Sequence, residues 1–116
     1  MNIAENVQKV TENIYKAAIS AGVAPDSIQL VAASKMNSAE RVREAISAGI
    51  KICGENRVQE LLEKDELGAY EGAEKHFIGH LQRNKVKSVT GRCELIQSVG
   101  SKELIELIAK RASLLG

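Results

Sequence analysis

Apolar positions fall first into one long helical stripe. Ile3, Val7, Val10, Ile14, Ala17 and Ala21 recur at alternating spacings of three and four, which predicts an amphipathic helix over residues 2–21. Asn2 is its candidate N-cap, Glu5 three residues on resembles a capping box, and Gly22 followed by Pro25 predicts the stop. The next run, Ile28-Gln29-Leu30-Val31-Ala32-Ala33-Ser34, is too short for a helix and apolar enough for a strand buried on both faces. Lys35 follows it directly. Ser38 then caps a predicted helix that carries Val42, Ala45 and Ile46 on one face and ends at Gly49. Ile50 to Cys53 is a second short apolar run, so strand, helix and strand make a βαβ unit.

The alternation continues with a helix through Val58, Leu61 and Leu62, a strand at His76 to Gly79, a helix through Val86 and Val89, and a strand at Glu94 to Ser98. In the last predicted helix Ser101 caps, Glu103 and Glu106 lie near the positive end, and Leu104, Leu107 and Ile108 form the apolar face. Lys110 and Arg111 complement its negative end. Strand starts at 28, 50, 76 and 94 suit compact βα repeats with parallel strands and right-handed crossovers. The polar connection from Asp65 to Lys75, with Gly68 and Gly72, reads as a surface loop. No linker or low-complexity stretch interrupts the pattern, so residues 1–116 are expected to form a single α/β domain. A leading helix plus four βα units suits either a small open sheet or half of an eight-unit barrel, and periodicity does not choose between them.

Composition narrows the partners. With 44% hydrophobic and 27% charged residues the chain is ordinary for a globular protein. Sixteen basic against fifteen acidic residues leave a net charge of +1 and no general attraction for nucleic acid or anionic membrane. An aromatic content of 3% offers little for stacking bases. Asn, Glu and Gln among the first ten residues exclude the continuous apolar core of a signal peptide or membrane span, so a cytoplasmic protein is expected. Cys53 and Cys93 lack metal-ligand spacing and read as reduced, mostly buried thiols.

In a parallel βα array, functional groups gather at the C-terminal ends of the strands. The candidates there are Lys35, Asn56 beside Glu55, His80 and Ser98. A lysine directly after a buried apolar strand can have its ammonium form disfavoured by desolvation, which exposes a nucleophilic amine for Schiff-base chemistry. The plainer reading of Lys35 is a solvated lysine opening a loop. Gly54-Glu55-Asn56-Arg57 falls where the second strand turns into a helix. Gly54 there permits a sharp turn and Asn56 offers a hydrogen-bonding amide, or the segment is only a capping turn. His76 and His80 straddle a strand end and lack a third ligand, so no metal is expected. Arg83, Lys85, Lys87 and Arg92 suit a solvated helix face, a phosphate or an acidic partner surface. No Walker or dinucleotide glycine pattern occurs.

Three linked segments carry a resemblance: Leu30-Val31-Ala32-Ala33-Ser34-Lys35, Gly54-Glu55-Asn56-Arg57-Val58-Gln59-Glu60, and His76-Phe77-Ile78-Gly79-His80-Leu81-Gln82-Arg83-Asn84-Lys85. Together they resemble the pyridoxal-phosphate homeostasis protein family over essentially the whole chain. The resemblance implies a TIM-type (β/α)8 barrel with parallel strands, related to the N-terminal domain of alanine racemase. This chain would carry the N-terminal half of it. It implies pyridoxal 5'-phosphate as cofactor, held as an internal aldimine on Lys35, with Asn56 as a pocket asparagine. His80 and Ser98 are placed at the rim by strand-end geometry alone. The implied function is cofactor binding and vitamin B6 homeostasis, with no catalytic residue assigned and no robust turnover.

Two alternatives stay open: a Schiff-base lysine enzyme of racemase or aldolase type, and a non-catalytic interaction module using the basic surface. The family continues for about as many units again, and its glycine- and serine-rich phosphate motif lies in that further portion. Losing about three charge-assisted hydrogen bonds, at about 1.5–3 kcal/mol each, predicts binding weaker by roughly three to six orders of magnitude. Two open sheet edges and an uncovered apolar face predict self-association, or complementation by a C-terminal half.

Overall fold

The computed structural model describes residues 2–116. Helix α1 (Ile3–Ala21) begins at Asn2, whose side chain accepts from the Glu5 amide at 2.8 Å. The Glu5 carboxylate returns to the Asn2 side-chain amide at 3.3 Å rather than to the Asn2 backbone, so only half of a capping box forms. Gly22, at φ 73°, ends the helix in the left-handed conformation that glycine adopts without penalty.

Four strands follow in alternation with helices: β1 (Ala32–Ala33), α2 (Ala39–Ser47), β2 (Ile52–Glu55), α3 (Val58–Glu66), β3 (Glu74–Phe77), α4 (Val86–Val89), β4 (Leu95–Ile96) and α5 (Lys102–Leu115). All strand pairs are parallel and the sheet order is β1-β2-β3-β4. Sequential neighbours joined by helices are the arrangement of a barrel wall, whereas a doubly wound sheet reverses its order at a switch point.

Register decides what each face carries. Ala33, Gly54, His76 and Leu95 are aligned across the four strands, and Glu55, Phe77 and Ile96 are aligned one residue further on. Alternation then puts the two sets on opposite faces. The second face packs under the helices, where Val42, Cys53, Leu61, Phe77, Val89 and Leu104 form the buried core. The first is covered only in part: Ile52 and His76 are buried, but Ala33, Leu95 and Gln97 are exposed. No helix among the described residues is long and apolar enough to cross a membrane.

Three expectations are corrected. The run from Ile28 to Ser34 is a strand only at Ala32–Ala33, although the Ser34 amide also reaches the Gly54 carbonyl at 3.0 Å. The register puts Val31 opposite Ile52, the first residue of β2, so Ile28 to Leu30 precede that strand. The helix through Val86 and Val89 is a single turn, preceded by a 3-10 turn at Arg83–Lys85 and stopped where Thr90 turns extended. The segment from Asp65 to Lys75 is not simply a surface loop. Ala69 and Tyr70 within it are core residues, and Lys75 already belongs to β3.

Both cysteines are free, Cys53 buried and Cys93 half-buried. Burial, and then the nearby Glu55, push the Cys53 thiol up from 9.0 to about 11. Burial and a hydrogen bond to Glu55 likewise push the Tyr70 hydroxyl up. For Cys53, a folded value above the unfolded one means that the neutral thiol contributes stability below about pH 9, lost as pH rises through about 11, at about 1.4 kcal/mol per unit. Urea midpoints measured across that range are expected to fall, and to fall less in Cys53→Val. An equal fall in both chains would remove Cys53 as a cause.

Candidate functional site

Because the four strands are parallel, their C-terminal ends lie along one edge of the sheet. Lys35 follows β1, Asn56 follows β2, His80 lies just past β3 and Ser98 just past β4, so all four candidates share that edge. Lys35 and His80 are exposed and Asn56 is half-buried. Ser98 is also exposed, and its hydroxyl donates to the Ile78 carbonyl at 2.9 Å, tying the end of β4 to the end of β3. Of the two readings of Lys35 from its position, a desolvated amine and a solvated lysine opening a loop, the second is what its surroundings show, for its side chain meets solvent.

What fixes Lys35 is a tight turn. The Asn37 amide donates to the Ser34 carbonyl at 3.2 Å, which makes Lys35 and Met36 its two central residues. Met36 has φ 62°, and is the one non-glycine residue with positive φ among the described residues. An L-residue there costs roughly 1–2 kcal/mol. Met36 is 87% exposed, so packing does not compensate.

A buried polar hub lies directly beneath. Glu55 on β2 is fully buried, and its Oε2 accepts from Lys64 Nζ at 2.8 Å, Ser34 Oγ at 3.0 Å and the Tyr70 hydroxyl at 2.5 Å. Lys64, one α3 turn beyond Glu60, also donates to Glu60 Oε2 at 2.7 Å and to the Ser34 carbonyl at 2.6 Å. The Met36 amide donates to the same Glu60 oxygen at 2.7 Å. Burial opposes the Lys64 ammonium, but its hydrogen bonds to Glu55 and Glu60 outweigh that and hold its pKa above the usual lysine value. Burial similarly opposes the Glu60 carboxylate, and the bonds from Lys64 and Met36 hold its pKa below the usual range. Glu55 Oε1 is buried with no hydrogen-bond partner.

Two glycines stand at close contacts near this edge, only one of them between strand ends. A Cβ on Gly79 would overlap the Asn56 backbone, lying 2.7 Å from its Cα, so only glycine lets these two strand ends approach. Gly54 was expected to permit a turn, but it lies inside β2. Its missing side chain makes room for Ile78 and Val31 on the less covered face.

Other features fall outside this edge. A cleft of about 670 Å3 is lined by residues that precede or open the strands, such as Ile28, Ile50, Lys51 and Glu74. It lies at the opposite end of the sheet from Lys35. His76 contacts Gln97 at 3.2 Å and Glu74 at 3.5 Å, while His80 is exposed. No group of three or more metal-binding side chains occurs among the described residues. Arg83 pairs with Glu103 at 2.7 Å on the surface, and Lys85, Lys87 and Arg92 are exposed.

A leading helix and four parallel βα units in sequential order, with the C-terminal ends of the strands along one edge, define half of a TIM-type barrel. No family model matches the chain. It is 45% identical over 112 residues to the pyridoxal phosphate homeostasis protein of Aquifex aeolicus, covering 97% of this chain and 49% of that protein. With the corresponding protein of Pseudomonas aeruginosa it shares 37% over 109 residues, 94% of this chain and 47% of that one. Two solved structures agree. An unknown protein from Bifidobacterium adolescentis matches with TM-score 0.90 and 34% identity, over 98% of this chain and 51% of that one. PipY of Synechococcus elongatus PCC7942, with PLP bound, matches with TM-score 0.77 and 36% identity, over 99% and 50%. The chain belongs to the pyridoxal phosphate homeostasis protein family, and spans about half the length of the relatives it matches.

Proposed function

We propose that this chain binds pyridoxal phosphate through Lys35 and serves in holding or delivering that cofactor. The observation that carries the reading is the Lys35 amine, exposed on a fastened turn at the strand-end edge where parallel barrels bind ligands. The names of the relatives and the PLP-bound PipY structure support it.

The donor set suits the group. Pyridoxal phosphate supplies an aldehyde, an aromatic ring with polar substituents and a phosphate dianion. The Lys35 amine is matched to the aldehyde, and Asn56, His80 and Ser98 offer an amide, an imidazole and a hydroxyl along the same edge. Phosphates in (β/α)8 barrels are frequently held by loops after strands seven and eight. These 116 residues, taken alone, are therefore expected to bind far more weakly than a chain that carries all eight units. Binding without turnover fits relatives named for homeostasis.

Incubation with pyridoxal phosphate, borohydride trapping and peptide mapping test the reading. Lys35 is expected to carry the adduct in preference to the other exposed lysines, and Lys35→Ala to lose it. Labelling spread evenly over surface lysines would sink the proposal.

A further inference from the structure

We propose that Glu60 and Lys64, seated on Glu55, are positioning residues for the Lys35 amine, because they hold the carbonyl before it and the amide after it in a single arrangement. The inference rests on Lys35 being the cofactor lysine, and adds how its direction is set.

The turn around Lys35 has few other restraints. The Ser34 amide bonds the Gly54 carbonyl at 3.0 Å, and Asn37 closes the turn on the Ser34 carbonyl. The Asn37 side chain caps the Lys35 carbonyl at 3.2 Å, but it is itself part of the turn. The two bonds that anchor it to the body of the protein beyond β2 both come from α3: Lys64 Nζ to the Ser34 carbonyl, and Glu60 Oε2 to the Met36 amide. They bracket Lys35 in sequence. Lys64 also bonds both carboxylates, so the two anchors move as one unit.

Met36 shows that these anchors act against a local preference. Its side chain is exposed, its backbone is left-handed, and its amide points at Glu60. Without that acceptor, methionine favours negative φ, and the return rotates the Lys35–Met36 peptide plane. The Lys35 side chain would then leave the strand-end edge in a different direction. A buried ion cluster that merely stiffened the core would have no need to reach two backbone groups on either side of one exposed lysine.

Glu60 is the position to test, since its side chain remains 20% exposed and its loss leaves the Glu55–Lys64 pair in place. Wild type, Glu60→Ala, Glu60→Gln and the double variant Glu60→Ala/Met36→Asn are compared by the rate of borohydride-trapped pyridoxal phosphate on Lys35. Exposed lysines elsewhere serve as internal controls, together with urea midpoints and hydrogen exchange at the Met36 amide. Glu60→Ala is expected to lower the Lys35 rate about tenfold, the worth of one charge-assisted hydrogen bond. Glutamine still accepts from Met36 and restores most of the rate, as does asparagine at 36, which adopts the left-handed conformation more readily. Met36 exchange accelerates in Glu60→Ala.

An unchanged Lys35 rate in a folded Glu60→Ala chain overturns the inference, and so does a fall shared equally by the control lysines. If wild type takes no label on Lys35, the cofactor reading fails by itself. Met36 exchange then decides this one: acceleration in Glu60→Ala supports the clamp, and no change overturns it.

Discussion

Replacing Lys64 with methionine is expected to lower stability by about 3–5 kcal/mol at neutral pH, a large part of what a small domain has. Methionine keeps most of the buried stem but removes the ammonium that serves Glu55, Glu60 and the Ser34 carbonyl together. Glu55 has no route to water, and keeps only the Ser34 and Tyr70 hydroxyls. Removing one partner of a buried pair costs more than removing both, so adding Glu55→Gln should recover about 1–3 kcal/mol. Urea unfolding of the two single variants and the double variant measures this, and a loss below about 1 kcal/mol in Lys64→Met would show that the pair is less buried than described. Acid gives a second check. The folded Glu60 pKa lies below its ordinary 4.5, so the stability from its pairing is present above that value and lost as pH falls through the depressed one. The gap between wild type and Lys64→Met should therefore narrow in acid.

That hub was nearly illegible in the sequence, for a physical reason. Glu60 and Lys64 stand four apart, but i, i+4 pairs of this kind are ordinarily solvated and add little, so the spacing does not single them out. Glu55 entered only as the neighbour of Asn56. Nothing in its spacing says that alternation turns Asn56 toward the partly open face and Glu55 into the core. Tyr70 stood in a polar stretch that reads as loop, yet its hydroxyl closes the cluster. Periodicity served better within single helices: it marked α1, although of that stripe Val7 is buried while Val10, Ala17 and Ala21 are exposed. The Ser38 and Ser101 caps and the alternation of strands with helices were readable, since each depends on local pattern, whereas the strand order was not, because periodicity left an open sheet and a half-barrel both possible. Strand lengths were not, because they depend on where the neighbouring strand begins. Lys35, Asn56, His80 and Ser98 were placed on one edge by topology alone. The left-handed Met36 beside Lys35 carried no sequence signal, since methionine is not a residue that marks such turns.

Alanine at Gly79 is expected to cost about 3 kcal/mol, more than alanine at Gly54 at about 1–2 kcal/mol, although both glycines are buried. The difference lies in what each new methyl meets. At Gly54 it meets the ends of side chains, Ile78 Cδ1 at 2.8 Å and Val31 Cγ1 at 2.9 Å, on a face with exposed neighbours into which they can rotate. At Gly79 it meets the backbone of Asn56, including its carbonyl carbon at 2.9 Å, and no rotamer relieves that. The end of β2 must separate from the segment after β3, and that movement takes Asn56 away from His80. Gly79→Ala should therefore lose pyridoxal phosphate labelling at Lys35 along with stability, whereas Gly54→Ala should keep most of both. Gly100, with nothing within 4 Å of an added Cβ, is the control and should be unaffected or slightly stabilised by alanine. Thermal unfolding of the three variants gives the order, and Gly54→Ala proving the more damaging would mean that the face carrying Ile78 and Val31 is closed more tightly than its exposed neighbours indicate.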